Sequence, residues 1–500
     1  MLVNTSRHVK VRAPTDRAGR AYLSHMFARS LAVALCLAAV SASSAPAQAA
    51  DTLSLTLEEA IARALRGEEV QAAREQIAAA DAQLITARAS GLPQLRLNGT
   101  YQHVFANARA QAVGQIFNQP NTYNVNANIS QTVFQGGRFI AGFRAARAAR
   151  SAARLTADEI VADVTLAVQH AYFQSLFTNR MYDIQNANYR LAASRLEQVE
   201  RFQTAGRVAR YEVLRARVER ANLEPLVAQA ENDRTIALLE LRRLANLPPQ
   251  QAIQLTTALT AEAVAPLIVA VDNPFELGEG RPSIRAAELT AHARRQAIAI
   301  ARADLLPTFS IFFQTGYQAF PAQGLPPLQG EVSTCPSGSA ATRCNNGGFF
   351  PDRTLGMTLS WPIFDGLRAK GNIDLAQANA KLAELALRQE REAVALEIAG
   401  ARALVDRARA LFEARKESAG EASEAFRLAS LRFDRGLDTQ LEVSDAQLAM
   451  LTAQTNEARA IFDLVLASAE LARALGKPLP FTPVRPAPRP TPITDTENRE

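Results

Sequence analysis

Glu442 and Asp445, in the stretch GLDTQLEVSDA at 436–446, stand three residues apart and so share one face of a helix. Two carboxylates placed that way attract cations. The related stretch GRVARYEVLRA at 206–216 keeps an acid at Glu212 but has Arg215 where the other has Asp445. Other residues that could do chemistry are sparse. The five histidines (His8, His25, His103, His170 and His292) show no metal-ligand spacing. Gly136 and Gly137 follow a strand pattern and precede a helix pattern, but no Gly-rich loop or Lys-Ser/Thr is there to hold a phosphate. They read as a strand-to-helix bend, as does Gly366. Cys335 and Cys344 are the only cysteines left once a leader containing Cys36 is removed. In an oxidising, exported setting they pair as a disulfide, with free thiols or a clip short of metal ligands as alternatives. This inventory predicts no enzyme and no cofactor.

Export itself is written at the start. Arg29 precedes the apolar run Leu31 to Val40, and small residues follow as far as Ala47-Gln48-Ala49. That is the layout of a signal peptide over 1–49, with Met26 as a possible true start. An apolar run of about ten residues cannot span a bilayer, which takes roughly 20. The leader also explains most of the formal charge of +6, because 1–49 carry six basic groups and one acid. What remains is close to neutral, and no nucleic-acid surface is expected. No later run of 18 apolar residues occurs. The exported chain is therefore periplasmic, secreted or a β-barrel.

The chain then repeats itself. SQTVFQGGRF at 130 resembles LSWPIFDGLR at 359, and LRRLANLP at 241 resembles LARALGKP at 471. Gly206 and Gly436, Glu212 and Glu442, and Pro248 and Pro478 all lie 230 positions apart, whereas ARASGLPQ at 87 and ARADLLPT at 301 lie 214 apart. The extra residues fall in the Gly/Pro/Ser-rich loop 321–352. Each copy reads helix, strand, loop, strand, long helix, turn, long helix. The first copy covers 50–248, with strands near 94–106 and 122–134 and long helices near 137–203 and 210–246. A linker at 249–280 leads to the second copy, 281–476, with strands near 308–320 and 353–364 and long helices near 366–434 and 440–475. A tail, 477–500, follows.

All four strands alternate. In 122–134, Tyr123, Val125, Ala127, Ile129 and Val133 oppose Asn124, Asn126, Asn128, Ser130 and Thr132. The apolar faces carry no Asp, Glu, Lys or Arg in a chain that is 21% charged. On the lipid face of a barrel a mid-membrane Arg or Lys costs about 2–4 kcal/mol, so exclusion is expected. A soluble sheet under helices would exclude charge too, but Tyr101, Tyr123, Tyr317 and Trp361 sit toward strand ends, as interfacial girdles do. Four strands are too few to close a barrel. Two copies would supply eight strands around a packed interior, and three would supply twelve around an open lumen that suits the asparagine face.

The helices are long. No proline occurs between Gly137 and Gly206, or between Leu367 and Gly436, which allows rods of roughly 100 Å. Each rod turns at a glycine and runs back. Pro225 lies inside the first return helix, where a kink is expected. The last helix keeps 3,4 spacing over Leu448, Leu451, Thr455, Ala458, Phe462, Val465, Ala469 and Ala472, a coiled-coil seam.

Together these features resemble the TolC-like outer membrane efflux proteins over nearly all of the chain after the leader. The carriers are LTLEEAIARAL at 55, RPSIRAAELTAHARRQAIAIARADLLPTFSI at 281, the junctions FQGGR and FDGLR, and the two Gly-x5-Glu-Val segments. Gln135 and Leu367 depart from the family's F-D-G-G-R. The resemblance implies an α+β membrane protein: a homotrimeric twelve-stranded β-barrel, four strands per chain, continued by a long α-helical coiled-coil barrel with a mixed equatorial domain from 249–280 and 477–500. It implies an outer-membrane location with a long periplasmic extension. It also implies a passive exit duct of a tripartite efflux or type I secretion system, partnered by a periplasmic adaptor and an inner-membrane transporter. The tips Gly206-Arg207-Val208-Ala209 and Gly436-Leu437-Asp438-Thr439 would dock the adaptor. Glu442 and Asp445 match the family's acidic rings at the tunnel mouth, with Glu212 beside them, and Arg215 would pair with an acid of a neighbouring coil to hold the mouth shut. The alternative is a periplasmic or surface coiled-coil protein without a channel.

Overall fold

The computed structural model describes residues 52–106, 108–113, 120–257, 259–260, 280–321, 325–326, 331–333, 344–346 and 348–479. The leader, most of the linker, Cys335 and the tail beyond Leu479 lie outside the described residues. The first copy comprises β1 (Leu53–Leu55), α1 (Leu57–Ala64), α2 (Glu68–Ala89), β2 (Gln94–His103), α3 (Ala108–Val113), β3 (Asn121–Gln135), α4 (Arg138–Thr204) and α5 (Arg210–Leu244). After β4 (Ile253–Leu255), the second comprises α6 (Pro282–Arg302), β5 (Thr308–Ala319), β6 (Glu331–Ser333), β7 (Cys344–Asn346), β8 (Phe350–Ser360), α7 (Arg368–Arg415), α8 (Ser418–Asp434) and α9 (Gln440–Ala474). The chain forms two compact units. In the smaller, Leu53 N–H donates to the Ala252 carbonyl at 2.9 Å. The larger holds the main sheet and the helices.

That sheet is antiparallel in the order β2-β3-β5-β8. Its register carries the alternation from strand to strand: Leu95 opposes Ile129, Ile129 opposes Phe313, and Phe313 opposes Leu355. One face is thus a continuous apolar surface, with Leu97 77%, Leu355 74% and Met357 71% exposed. A soluble domain would not leave such a patch to water. On the other face Asn98 donates to Asn126 at 3.3 Å, and Asn126 to Asn124 at 2.8 Å. Tyr101 and Tyr123 meet at one end with ring centroids 4.7 Å apart.

Three strand expectations need correction. β8 starts at Phe350, and Arg353, opposite Thr315 and two residues from Leu355, lies on the apolar face expected to carry no charge. It stands toward the outer end, where the cost of a charge falls to about 0–1 kcal/mol. β8 also ends at Ser360 and β2 at His103, leaving Trp361, Ile363, Phe364 and Phe105 beyond the strands. A register shift between Thr132 and Phe134 brings Phe134 opposite Phe309.

Strands become helices at left-handed residues. Gly136 (φ 59°), Gly137 (φ 80°) and Gly366 (φ 70°) fit there freely, but Leu367 is held at φ 70°. Left-handed backbone costs a leucine about 1–2 kcal/mol. Leu367 is 66% exposed and loses little burial if replaced. We expect Leu367→Gly to stabilise the protein by about 0.5–1 kcal/mol, the strain relieved less the entropy that a glycine adds to the unfolded chain. An unchanged or lower unfolding midpoint would contradict this.

α4 packs against α2, α5, α6 and α9, while α6 packs against α7 and α7 against α9, so each copy places its long helices beside the same neighbours. The second copy departs in one respect. The expected rod over 366–434 is two helices joined at Lys416 and Glu417, both still right-handed in backbone. Ser418 Oγ donates to the Ala414 carbonyl at 3.3 Å, and Gly420 weakens the following turn. Such back-bonding loosens the helical ladder. α5 runs through Pro225 without a break. The seam of α9 is buried from Ala458 to Ala472, but Leu448 is 62% exposed.

Candidate functional site

One device builds both hairpin tips. Gly206 at φ 72° lets Arg207 N–H reach the Phe202 carbonyl at 2.8 Å, and Gly436 at φ 73° lets Leu437 N–H reach the Arg432 carbonyl at 2.9 Å. This Schellman ending needs a left-handed residue, which glycine supplies without strain. The return helices start differently. Thr439 Oγ1 accepts from Glu442 N–H at 3.5 Å, whereas Ala209 has no capping side chain.

Below the turns, Leu196, Val199, Val213 and Ala216 form a small core with Val208 packed against it. Val208 therefore caps its own hairpin. The exposed apolar side chains at the tips are Leu437, 68% exposed, with Tyr211 and Leu441 nearby. Asp438 is taken up by Arg432 at 2.9 Å, and Arg207 lies 4.5 Å over the Phe202 ring.

The gate residues are placed separately. Glu442 and Asp445 are exposed on successive turns of α9, and Asp445 lines a shallow groove with Arg415 of α7. Arg215 and Glu212 are half-buried on α5, and Glu212 Oε2 is buried without a hydrogen bond. Among the described residues, no ion pair joins Arg215 to an acid of its own chain. Cys344 belongs to β7, where it pairs in register with Ser333.

Two constellations escaped the sequence reading. Near the tips, Arg195 is buried beneath the Phe433 ring, 5.0 Å from its centroid. Burial pulls its pKa down, while Asp434 and Glu219 act to raise it. Ser444 donates to Glu219 at 3.1 Å and Gln447 to Asn188 at 2.5 Å, so polar bonds tie one hairpin to the other. Asn188, Arg195 and Phe202 recur every seven residues on α4, and that heptad was the available signal. At the far end of the hairpins, Arg281 bonds Glu159 at 2.8 Å and Glu397 at 2.5 Å. Arg473 pairs with Asp163 at 2.6 Å and also with Glu397. Burial pulls Arg281 down, but its bonds to Glu397 and Glu159 outweigh that and raise its pKa.

Neither constellation resembles a catalytic set. A groove of about 840 Å³ between α4 and α5 is lined by His170, Phe177, Asp233, Ile236 and Glu240 among others. No described group of three His, Cys, Asp or Glu residues could hold a metal ion. No described helix is long and apolar enough to cross a membrane.

A sheet apolar on one face and asparagine-rich on the other, continued by paired helical hairpins, has the build of an outer-membrane channel subunit. Residues 56–247 and 275–477 match the family model for outer membrane efflux proteins, and the chain belongs to that family. It is 27% identical over 422 residues to the pyoverdine export outer membrane protein OpmQ of Pseudomonas putida, covering 82% of this chain and 83% of that one. Nodulation protein T of Rhizobium leguminosarum bv. trifolii is 25% identical, with 82% of each chain covered. Outer membrane protein OprJ of Pseudomonas aeruginosa is 32% identical over 203 residues, a match to 39% of this chain and 38% of OprJ. Among solved structures, the outer-membrane channel OprN superposes with TM-score 0.67 at 21% identity over 84% of this chain and 90% of that one. VceC from Vibrio cholerae gives 0.67 at 20% identity over 84% and 96%. The protein is an α+β outer-membrane efflux channel protein with a long periplasmic extension.

Proposed function

We propose that three copies of the chain close one twelve-stranded barrel and form the exit duct of a tripartite efflux or type I secretion system. The observation that carries this reading is the unfinished sheet: among the described residues β2 and β8 each have one neighbour, and four strands cannot close on themselves. Strands from other copies complete it, with the apolar face in lipid and the asparagine face around the lumen. Planar-bilayer recording of the purified protein is expected to give steady conductance steps, and its mass in detergent should be that of three chains. Silent bilayers would favour a coiled-coil protein without a channel. OpmQ is named for pyoverdine export and SrpC of Pseudomonas putida for solvent efflux, so family membership alone leaves this chain's cargo open. Drug, metal and secreted-protein phenotypes of a deletion strain would identify it.

The tips dock the periplasmic adaptor, and the inner-membrane transporter hands its substrate to that assembly. Leu437 is the anchor on the second tip, since an exposed leucine at a turn is otherwise a liability. Cysteine placed at position 437 is expected to crosslink an adaptor in cells, and cysteine at 208 much less, because Val208 is packed against its own hairpin. Crosslinks to the transporter alone would argue against docking here.

The long outer loop is stapled by Cys335–Cys344. Mass spectrometry of unreduced protein should find the two peptides joined. Two alkylatable thiols would end that reading.

A further inference from the structure

The strand-to-helix junction carries cations that the duct itself does not use. Arg88 stands one residue before the end of α2, Arg302 ends α6, and Arg368 and Lys370 open α7. All four are exposed, and none has an ion-pair partner among the described residues. Among the acids beside them, Asp304 pairs with Arg138 and accepts from Asn372, Asp365 accepts from the Ala369 N–H at 2.8 Å, and Asp374 is exposed one turn after Lys370; with Arg138 counted, five cations face three carboxylates. Positive charge is therefore in excess. All four cations lie within one helical turn, about 5.4 Å, of the helix ends that meet the sheet. With the sheet in the hydrocarbon, as proposed above, a headgroup layer about 5–8 Å deep would begin beside these helix ends.

On the membrane side of those cations the chain is apolar. Leu305 is 52% exposed, Trp361 63%, Phe364 82% and Ile363 90%. Trp361 Nε1–H donates to the Leu305 carbonyl at 3.3 Å, which holds the indole three residues from Arg302. An apolar belt directly above a cationic one matches a glycerophospholipid, acyl chain against the first and phosphate against the second. A zwitterionic headgroup would leave the excess charge unbalanced, whereas an anionic one neutralises it.

We infer that this junction is a binding site for anionic phospholipid of the phosphatidylglycerol class in the periplasmic leaflet. The inference rests on the membrane barrel described above. Each cation near an anionic surface contributes about 1 kcal/mol, or roughly fivefold in affinity.

Trp361 is the only tryptophan in the chain, so its fluorescence reports this place alone. The full chain would be reconstituted in mixed phosphatidylethanolamine and phosphatidylglycerol vesicles, with brominated acyl chains on one lipid or the other. Brominated phosphatidylglycerol is expected to quench several-fold better per molecule. That preference should shrink markedly in the triple variant Arg302→Gln, Arg368→Gln, Lys370→Gln, which leaves only Arg88 of the four. If the variant does not fold, the unaltered protein serves: the preference should shrink at about 0.5 M salt, where the Debye length falls to about 4 Å. Equal quenching by both lipids, or a preference indifferent to salt and to the substitutions, overturns the site. No quenching by either lipid would instead overturn the membrane placement of the barrel.

Discussion

Replacing Arg281 with methionine is expected to destabilise the protein by about 3 kcal/mol, enough to deplete folded assemblies from the membrane. Arg281 is 4% exposed and gathers Glu159 of α4 and Glu397 of α7 from its place just before α6. Arg473 of α9 shares both acids, so four helices meet on one ionic knot. Removing one member of a buried ion pair strands its partners and typically costs 3–5 kcal/mol. The lower end applies because Glu397 keeps 37% of its side-chain surface and Arg473 remains to serve it. Arg281→Lys keeps the charge but loses the fork that reaches both acids, and should fall between. The measurement is the unfolding midpoint of purified protein together with membrane yield. Little change for Arg281→Met would mean that Arg473 alone satisfies the knot.

What could be read from the sequence, and what could not, divides by the range of the force involved. The strands were visible because lipid on one face and water on the other impose a period of two over each strand. The tips were visible because a helix that reverses in so few residues needs a left-handed position, and Gly206 and Gly436 fill it in both copies. The Arg281 knot was invisible: its members lie at 159, 281, 397 and 473 and meet only when four helices pack. Arg195 is covered by Phe433 of the other hairpin, a contact between residues far apart in the chain. The interruption at Lys416 depends on a serine back-bond and Gly420, neither of which breaks a helix alone. The left-handed Leu367 was visible only as a departure from glycine, without the backbone angle that makes it costly.

Neutralising Glu442 and Asp445 together is expected to lower cation-over-anion permeability about tenfold or more and to abolish block by divalent cations. Both acids are exposed near the start of α9, and three copies would set six carboxylates around one mouth. At about 9 Å in water each contributes about 0.5 kcal/mol to a passing cation. Screening near 0.1 M salt removes more than half of the total, leaving about 1 kcal/mol of attraction for a cation and the same repulsion for an anion. That difference is the tenfold ratio or more. Glu442 also sits in the first turn of its helix, where a negative charge favours the helix itself, so the double variant should lose some stability at the tip. The permeability ratio separates the two roles, because a charge serving only its helix leaves ion selectivity unchanged. Arg215→Ala provides the complementary measurement. Arg215 pairs with no acid of its own chain among the described residues, so pairing with a neighbouring copy would make its loss raise resting conductance. Unchanged selectivity, divalent block and resting conductance across both variants would place the constriction elsewhere, with the buried Arg195 cluster as the next position to test.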